Sequence, residues 1–188
     1  MSKRFVLVLF MLACLLGLVS ASSANLLQNP SFEDPETEAD NPYGDIAASW
    51  GRWGHWMNRE TGWKPTRTGA CLIGYHHWEI GGPDTSGLYQ DVDDVTAGSQ
   101  CVFSIHAAKD KDTNIESIEL RIEKTGGFET LGSATYKLDD LKGAGYTKLS
   151  VSARATEDGV RVTVVVNPAK SSPRGGALKL DDAELVTE

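Results

Sequence analysis

The chain has 188 residues, 40% of them hydrophobic, and a formal net charge of −8 at pH 7. This length suits one domain with a substantial core. The acidic balance argues against nucleic acid and anionic membrane surfaces as partners, and it is compatible with neutral polysaccharide and with calcium.

The first 24 residues have the order of a secretory signal peptide. Two basic residues precede an apolar run over 5–19, and small residues follow it. The run is shorter than the roughly 20 residues that a membrane-spanning helix needs. Cleavage after Ala21 or Ala24 fits equally well. We therefore expect residues 1–24 to be removed and residues 25–188 to form one exported domain, either secreted to the cell exterior or periplasmic.

Hydrophobic residues in this domain recur with a period of two, which is typical of strands with one buried face and one solvent-facing side. Glycine-containing turns separate the runs. The predicted strands are 26–33, 48–56, 69–76, 87–93, 100–109, 116–124, 129–137, 146–155, 159–166 and 176–186. One helical turn is predicted, from Leu138 to Lys142. Many short strands with regular turns predict an all-β fold, a jelly-roll β-sandwich.

Two cysteines remain in the predicted domain, Cys71 and Cys101. An oxidising compartment allows a disulfide between them, and two buried apolar thiols are the alternative. Sequence does not give the separation of their Cα atoms, so both states stay open.

Aromatic residues are concentrated between Trp50 and Trp78, a segment with all five tryptophans and three of the four histidines. Flat aromatic rings stack on the C–H faces of sugars, while fixed polar groups bind the hydroxyls. We expect Trp50 to fill the core and other members to join polar groups on neighbouring strand faces. The candidate ligand-binding residues are Trp53, Trp56, Trp63, Tyr75, His77, Trp78, His106 and Arg121. A plain surface ion pair is the alternative for Arg121 with Glu119.

Acidic motifs stand at both ends of the predicted domain: Asn-Pro-Ser-Phe-Glu over 29–33 and Leu-Asp-Asp-Ala-Glu-Leu over 180–185. If the first and last strands pair, their carboxylates meet and repel unless a cation lies between them. Calcium prefers carboxylate and carbonyl oxygens. The candidate metal-binding residues are Ser31, Glu33, Asp181 and Asp182, with carbonyls of the 68–70 turn. Solvated strand-end acids are the alternative.

These motifs, together with Leu-Tyr-Gln-Asp-Val over 88–92 and Ala-Gly at 97–98, resemble the carbohydrate-binding modules found beside bacterial cellulases and xylanases. The resemblance runs in order over nearly all of residues 25–188. It implies a galactose-binding domain-like jelly roll with one structural Ca²⁺, held by Glu33, by Asp181 or Asp182, and by backbone carbonyls. The tryptophan-rich segment departs from the family pattern, so the sugar is not identified.

The sequence contains no Gly-x-Ser-x-Gly elbow and no phosphate-binding glycine loop, two signatures of catalytic sites. We therefore expect a monomeric, non-catalytic module that binds a polysaccharide or oligosaccharide by tryptophan stacking in a groove. An extracellular protein-interaction or adhesion domain is the alternative, and a small polysaccharide-cleaving enzyme is a third reading.

Overall fold

The computed structural model describes residues 24–36, 45–54, 56–76, 85–142, 145–169 and 176–188, and the regular structure there is almost wholly β. The strands are Pro35–Glu36 (β1), Ile46–Ala47 (β2), Gly51–Trp53 (β3), Met57–Thr61 (β4), Cys71–Tyr75 (β5), Ser86–Val92 (β6), Gln100–Lys109 (β7), Ile115–Glu123 (β8), Thr130–Tyr136 (β9), Thr147–Arg154 (β10), Val160–Pro168 (β11) and Leu178–Thr187 (β12). In these ranges no helix is long and apolar enough to cross a membrane.

Ten of the strands form two antiparallel sheets that enclose the core between them. Sheet I has the order β10-β7-β12-β5-β4, and sheet II has the order β3-β6-β11-β8-β9. Strands β1 and β2 form a separate two-stranded ladder. The predicted jelly-roll β-sandwich is therefore confirmed.

The period-two pattern places one face of each strand in this core. In β11 the valines at 160, 162, 164 and 166 are completely buried, so Arg161 and Thr163 between them belong to the outer face of sheet II. Trp50 is 2% exposed and lies in the core as predicted. The outer faces of the two sheets are the broad surfaces left for a ligand.

Residues 26–33 do not form the predicted strand, although they do lie beside the last strand, as predicted. Asn29 and Phe32 have positive φ angles of 45° and 60°, which turn the chain out of an extended path. The segment still lies along β12, because the amide of Leu26 donates to the carbonyl of Leu185 at 2.9 Å and that of Ala183 donates to Pro30 at 2.8 Å. The two ends of the described domain are therefore adjacent.

The predicted strand at 48–56 is also corrected. Strand β3 covers only part of it, and β4 follows where no strand was predicted. Gly54 lies between them with a φ of 74°, a conformation that lets the chain turn from sheet II to sheet I. The predicted helical turn is confirmed as a 3₁₀ helix at Leu138–Asp140.

The two cysteines within the described residues, Cys71 and Cys101, are buried free thiols. Cys71 lies in β5 and Cys101 in β7, on the two strands that flank β12. Burial raises the pKa of both thiols, so neither is an activated nucleophile.

Gln90 ties the N-terminal segment to sheet II. Its side chain accepts the amide of Gln28 at 2.8 Å and donates to the carbonyls of Gln28 and Ser49 at 3.0 and 3.1 Å. The residue is only 5% exposed. Removing its amide leaves three backbone groups without this partner in a nearly dry site.

We expect Gln90→Leu to lower the free energy of unfolding by about 2–4 kcal/mol, measured by urea denaturation. Gln100→Leu, the same change at a half-buried position on β7, should cost less than about 1 kcal/mol. Equal losses in the two variants would contradict this assignment.

Candidate functional site

The outer face of sheet II brings aromatic and charged residues into three adjacent rows. Register places Trp53 in line with Gly87, Val165 and Glu119, and Tyr89 in line with Thr163 and Arg121. Arg161 lies in the third row, between Asp91 and Glu123. We call Trp53, Tyr89, Glu119, Arg121 and Arg161 the sheet II platform. Its aromatic half lies on β3 and β6, and its charged half lies on β8 and β11.

The aromatic half is built from two reciprocal aromatic–glycine pairs. A Cβ added to Gly87 would stand 1.9 Å from the Trp53 ring, and one added to Gly51 would stand 2.3 Å from the Tyr89 ring. Each ring therefore rests on the backbone of the neighbouring strand, which a side chain at either glycine would prevent. The ring centroids are 6.1 Å apart with an interplanar angle of 35°. Trp53 keeps 39% of its surface exposed.

The charged half is held by its own hydrogen bonds. Arg121 donates to Glu119 at 2.7 Å, and Thr163 donates to Glu123 at 2.8 Å. The hydrogen bond to Glu119 raises the pKa of Arg121. The side chains of Glu119 and Arg121 remain 21% and 32% exposed, so their outer polar atoms can still meet a ligand.

Arg161 links the two halves. Its guanidinium binds Asp91 through two hydrogen bonds of 2.9 and 2.6 Å and lies 4.1 Å from the centroid of the Tyr89 ring. The hydrogen bond from Arg161 lowers the pKa of Asp91. A bidentate ion pair stacked on a ring is a rigid arrangement, so Tyr89 and Asp91 are fixed before any ligand binds.

The predicted site residues divide between the two outer faces. Trp53 and Arg121 share the sheet II platform. Trp63 and His106 belong to the outer face of sheet I, where the Trp63 ring packs on Gly74 of β5. The prediction that His106 and Arg121 line one groove is wrong, because β7 and β8 are consecutive in the chain but belong to different sheets.

Two other predicted ligand-binding residues are part of the core. Trp56 is 9% exposed and Tyr75 is 1% exposed, so neither presents a ring face to a surface ligand. The period-two pattern places Tyr75 on the inner side of β5, opposite Met57 and Leu178. His77 and Trp78 lie outside the described residues.

The predicted metal-binding residues converge on the loop between β4 and β5. Glu33 accepts the amides of Ala70 and Cys71 at 3.0 and 2.9 Å, and Asp181 accepts that of Arg67 at 2.7 Å. Gly69 has a φ of 54°, and a Cβ there would stand 2.2 Å from a Glu33 oxygen. The loop therefore donates hydrogen bonds to one carboxylate from the N-terminal segment and to one from β12.

Asp181 and Asp182 have different environments although both border this loop. Asp181 is completely buried, and burial raises its pKa to about 6. In the described part of the chain, no lysine or arginine forms a salt bridge with Asp181. Asp182 instead pairs with Arg67 and accepts the Thr68 hydroxyl at 2.6 Å. A divalent cation at Asp181 would supply the missing positive charge.

Ser31 lies in the turn closed by the Phe32 amide and the Asn29 carbonyl at 3.1 Å. The described residues contain no group of three or more His, Cys, Asp or Glu side chains arranged for a metal. A cation held by Glu33 and Asp181 would therefore need carbonyl oxygens, such as that of Ser31, and water to fill the six to eight positions of calcium.

Sequence reasoning missed Arg161, Asp91 and the two supporting glycines. One signal was available, because a glycine inside a strand often marks the close approach of another group. Gly87 and Gly51 are such positions. The bidentate pair of Arg161 with Asp91 depends on the pairing of β6 with β11, which local periodicity does not give.

No family model matches the chain, and no curated protein matches it in sequence. Solved structures match it in fold. TmCBM61, in complex with β-1,4-galactotriose, has a TM-score of 0.61 at 19% identity and covers 88% of this chain and 100% of its own. A cyclase from Fischerella sp. TAU has a TM-score of 0.64 at 14% identity over 89% and 98% of the two chains. A CBM4 has a TM-score of 0.52 at 16% identity over 86% and 99%.

At these identities the likeness establishes a shared fold. The resemblance to carbohydrate-binding modules of the galactose-binding-like type is thus confirmed for the architecture. The cyclase shows that the same sandwich also occurs in an enzyme, so the fold alone does not decide between binding and catalysis.

Proposed function

We propose that this chain is a non-catalytic carbohydrate-binding module that binds a polysaccharide or oligosaccharide on the sheet II platform. The observation that carries the proposal is Trp53, a 39% exposed indole that rests on Gly87 beside Tyr89 and lies in register with Glu119. Both TmCBM61 and the CBM4 share this fold, and the ligand of the former is an oligosaccharide.

The chemistry of the platform suits a neutral sugar chain. A pyranose ring can stack its C–H face on Trp53 while its edge hydroxyls bond to Glu119 and Arg121. The cations Arg121 and Arg161 are both paired with carboxylates, so an anionic glycan would find little uncompensated positive charge. The site is preorganised, since its rings and ion pairs are fixed by the sheet, which lowers the entropic cost of binding.

A structural calcium ion is part of this proposal. Glu33, near the start of the domain sequence, and the buried Asp181, near its end, would together hold it, with a carbonyl such as that of Ser31 completing the shell. The ion would neutralise Asp181 and join the N-terminal segment, the β4–β5 loop and β12. It would act on stability and not on the sugar, because Asp181 lies on sheet I while the platform lies on sheet II.

Export through the predicted signal peptide completes the proposal, because an extracellular or periplasmic location would place the module where it can meet polysaccharides. Mass spectrometry of protein recovered from the culture medium or periplasm should show a chain that begins after Ala21 or Ala24. Full-length chain found only inside the cell would contradict export.

The proposed function is tested by a glycan array probed with purified protein in calcium-containing buffer. We expect binding to neutral polysaccharides or their oligosaccharides with a dissociation constant of about micromolar to millimolar. An array without signal would favour the protein-interaction alternative, and release of reducing ends from a bound polysaccharide would favour an enzyme.

A further inference from the structure

A second candidate site lies on the outer side of sheet I, away from the platform. It is an open pocket of about 210 Å³ lined by Trp63, Lys64, His76, Asp110 and Lys179, together with residues 176–177. Its volume is below the range of about 300–1,000 Å³ that is usual for sites that enclose larger ligands. The pocket therefore has room for a ligand of about one ring and not for a chain of several sugar rings.

The aromatic wall of this pocket is fixed. A Cβ added to Gly74 would stand 2.5 Å from the Trp63 ring, so the indole rests on the backbone of β5. His76 packs against it edge-on, with centroids 6.0 Å apart and an interplanar angle of 76°. Trp63 is half-buried, and an indole fixed in this way is a stacking surface for the C–H face of a sugar.

The polar wall is fixed as well. The ammonium of Lys179 donates to Asp110 at 2.5 Å and to the carbonyl of Lys64 at 2.6 Å, and its side chain is only 8% exposed. The other Asp110 oxygen accepts the amide of Ala177 at 3.1 Å. Asp110 remains 40% exposed, so its carboxylate can accept further hydrogen bonds from inside the pocket.

A lysine beside a carboxylate complements two neighbouring hydroxyl groups. The carboxylate accepts a hydrogen bond from one hydroxyl, and the third N–H of the ammonium can donate to the other. The pair is also neutral overall, so the pocket offers no uncompensated positive charge to a sugar acid.

We propose that this pocket is a second, separate sugar site that binds one neutral terminal sugar residue, with Trp63 under its ring and vicinal hydroxyls on Asp110 and Lys179. The choice of a sugar as ligand class rests on the proposed function, whereas the site itself is independent of the platform. Because the two sites face away from each other, one molecule could join two glycan chains.

The experiment is an NMR titration of the full ¹⁵N-labelled protein with methyl glycosides of glucose, galactose, mannose, xylose and arabinose. We expect at least one glycoside, at about millimolar concentration, to shift the indole N–H signal of Trp63, and the same shift should occur in Trp53→Ala, whether or not the Trp53 signal of the unmodified protein also moves. Glucuronic acid, matched to the glucoside, should bind more weakly than its neutral parent.

Variants show whether the shift of the Trp63 signal comes from binding in this pocket. Trp63→Ala should abolish it, and Asp110→Asn should weaken it at least about tenfold, while Trp53→Ala should leave it unchanged. Preserved dispersion of the remaining amide signals shows that each variant is folded. Because Asp110 and Lys179 are partners, Lys179→Met serves as a second polar-wall variant with the same expected weakening.

The proposal is overturned if no glycoside of the panel shifts Trp63, if the response is lost in Trp53→Ala, or if glucuronic acid binds more tightly than the glucoside. Failure of the proposed function has a different signature, which is a Trp53 signal that responds to none of the polysaccharides tested. A Trp63 response would then still establish the pocket by itself.

Discussion

Replacing Trp53 with alanine should reduce affinity for the glycan identified on the array by about thirtyfold, or about 2 kcal/mol. The indole is the most exposed aromatic ring of the platform, and its loss removes the stacking surface while Glu119 and Arg121 remain. Isothermal titration calorimetry or affinity electrophoresis measures the change. Trp53→Phe should keep part of the affinity, because a smaller ring can still rest on Gly87.

Two further variants separate binding from a general loss of structure. Phe128→Ala removes a ring that is 96% exposed at the turn between β8 and β9, and it should leave affinity unchanged. Gly87→Ala keeps Trp53 but places a methyl group against its ring, so affinity should fall although no side chain has been removed. Unchanged affinity in both Trp53→Ala and Gly87→Ala would exclude the platform as the glycan site.

Removing calcium should produce the largest loss of stability. An ion bound only by the folded state contributes about 4 kcal/mol when its concentration is a thousand times the dissociation constant. For a domain of this size that corresponds to a fall in Tm of roughly 10 °C. Differential scanning calorimetry with calcium and with excess chelator measures it.

Asp181→Asn should melt at nearly the same temperature with and without chelator, because the variant lacks the buried carboxylate that is proposed to bind the ion. Asp94→Asn, the same change at an exposed residue, should keep the full chelator response. Identical Tm values for the unmodified protein in calcium and in chelator would contradict the calcium proposal and leave Asp181 as a buried acid of raised pKa.

Much of the architecture could be predicted because the residues that become buried recur at every second position of the strands. The valines of β11 and the apolar residues of β7 and β8 define strands without reference to any partner. The prediction of a strand at 26–33 failed because Asn29 and Phe32 adopt left-handed backbone conformations. These conformations depend on contacts with β12 and not on local hydrophobicity.

The candidate site was predicted less completely, because a site depends on which strands are neighbours. The chemistry of Trp53 and Arg121 marks both as candidates, and the register of sheet II does place them on one surface. The order of the strands in the chain suggests that β7 and β8 are neighbours, which would put His106 on that surface, but the chain crosses between sheets after Lys109. The inward direction of Tyr75 depends on the phase of β5, which its aromatic character does not reveal.

A crystal structure of the protein grown in calcium with the array glycan bound would test the glycan site directly. We expect a sugar ring stacked on Trp53, with hydroxyls within hydrogen-bond distance of Glu119 or Arg121. A glycan chain bound elsewhere on the molecule, with the face of Trp53 exposed to solvent, would contradict this expectation.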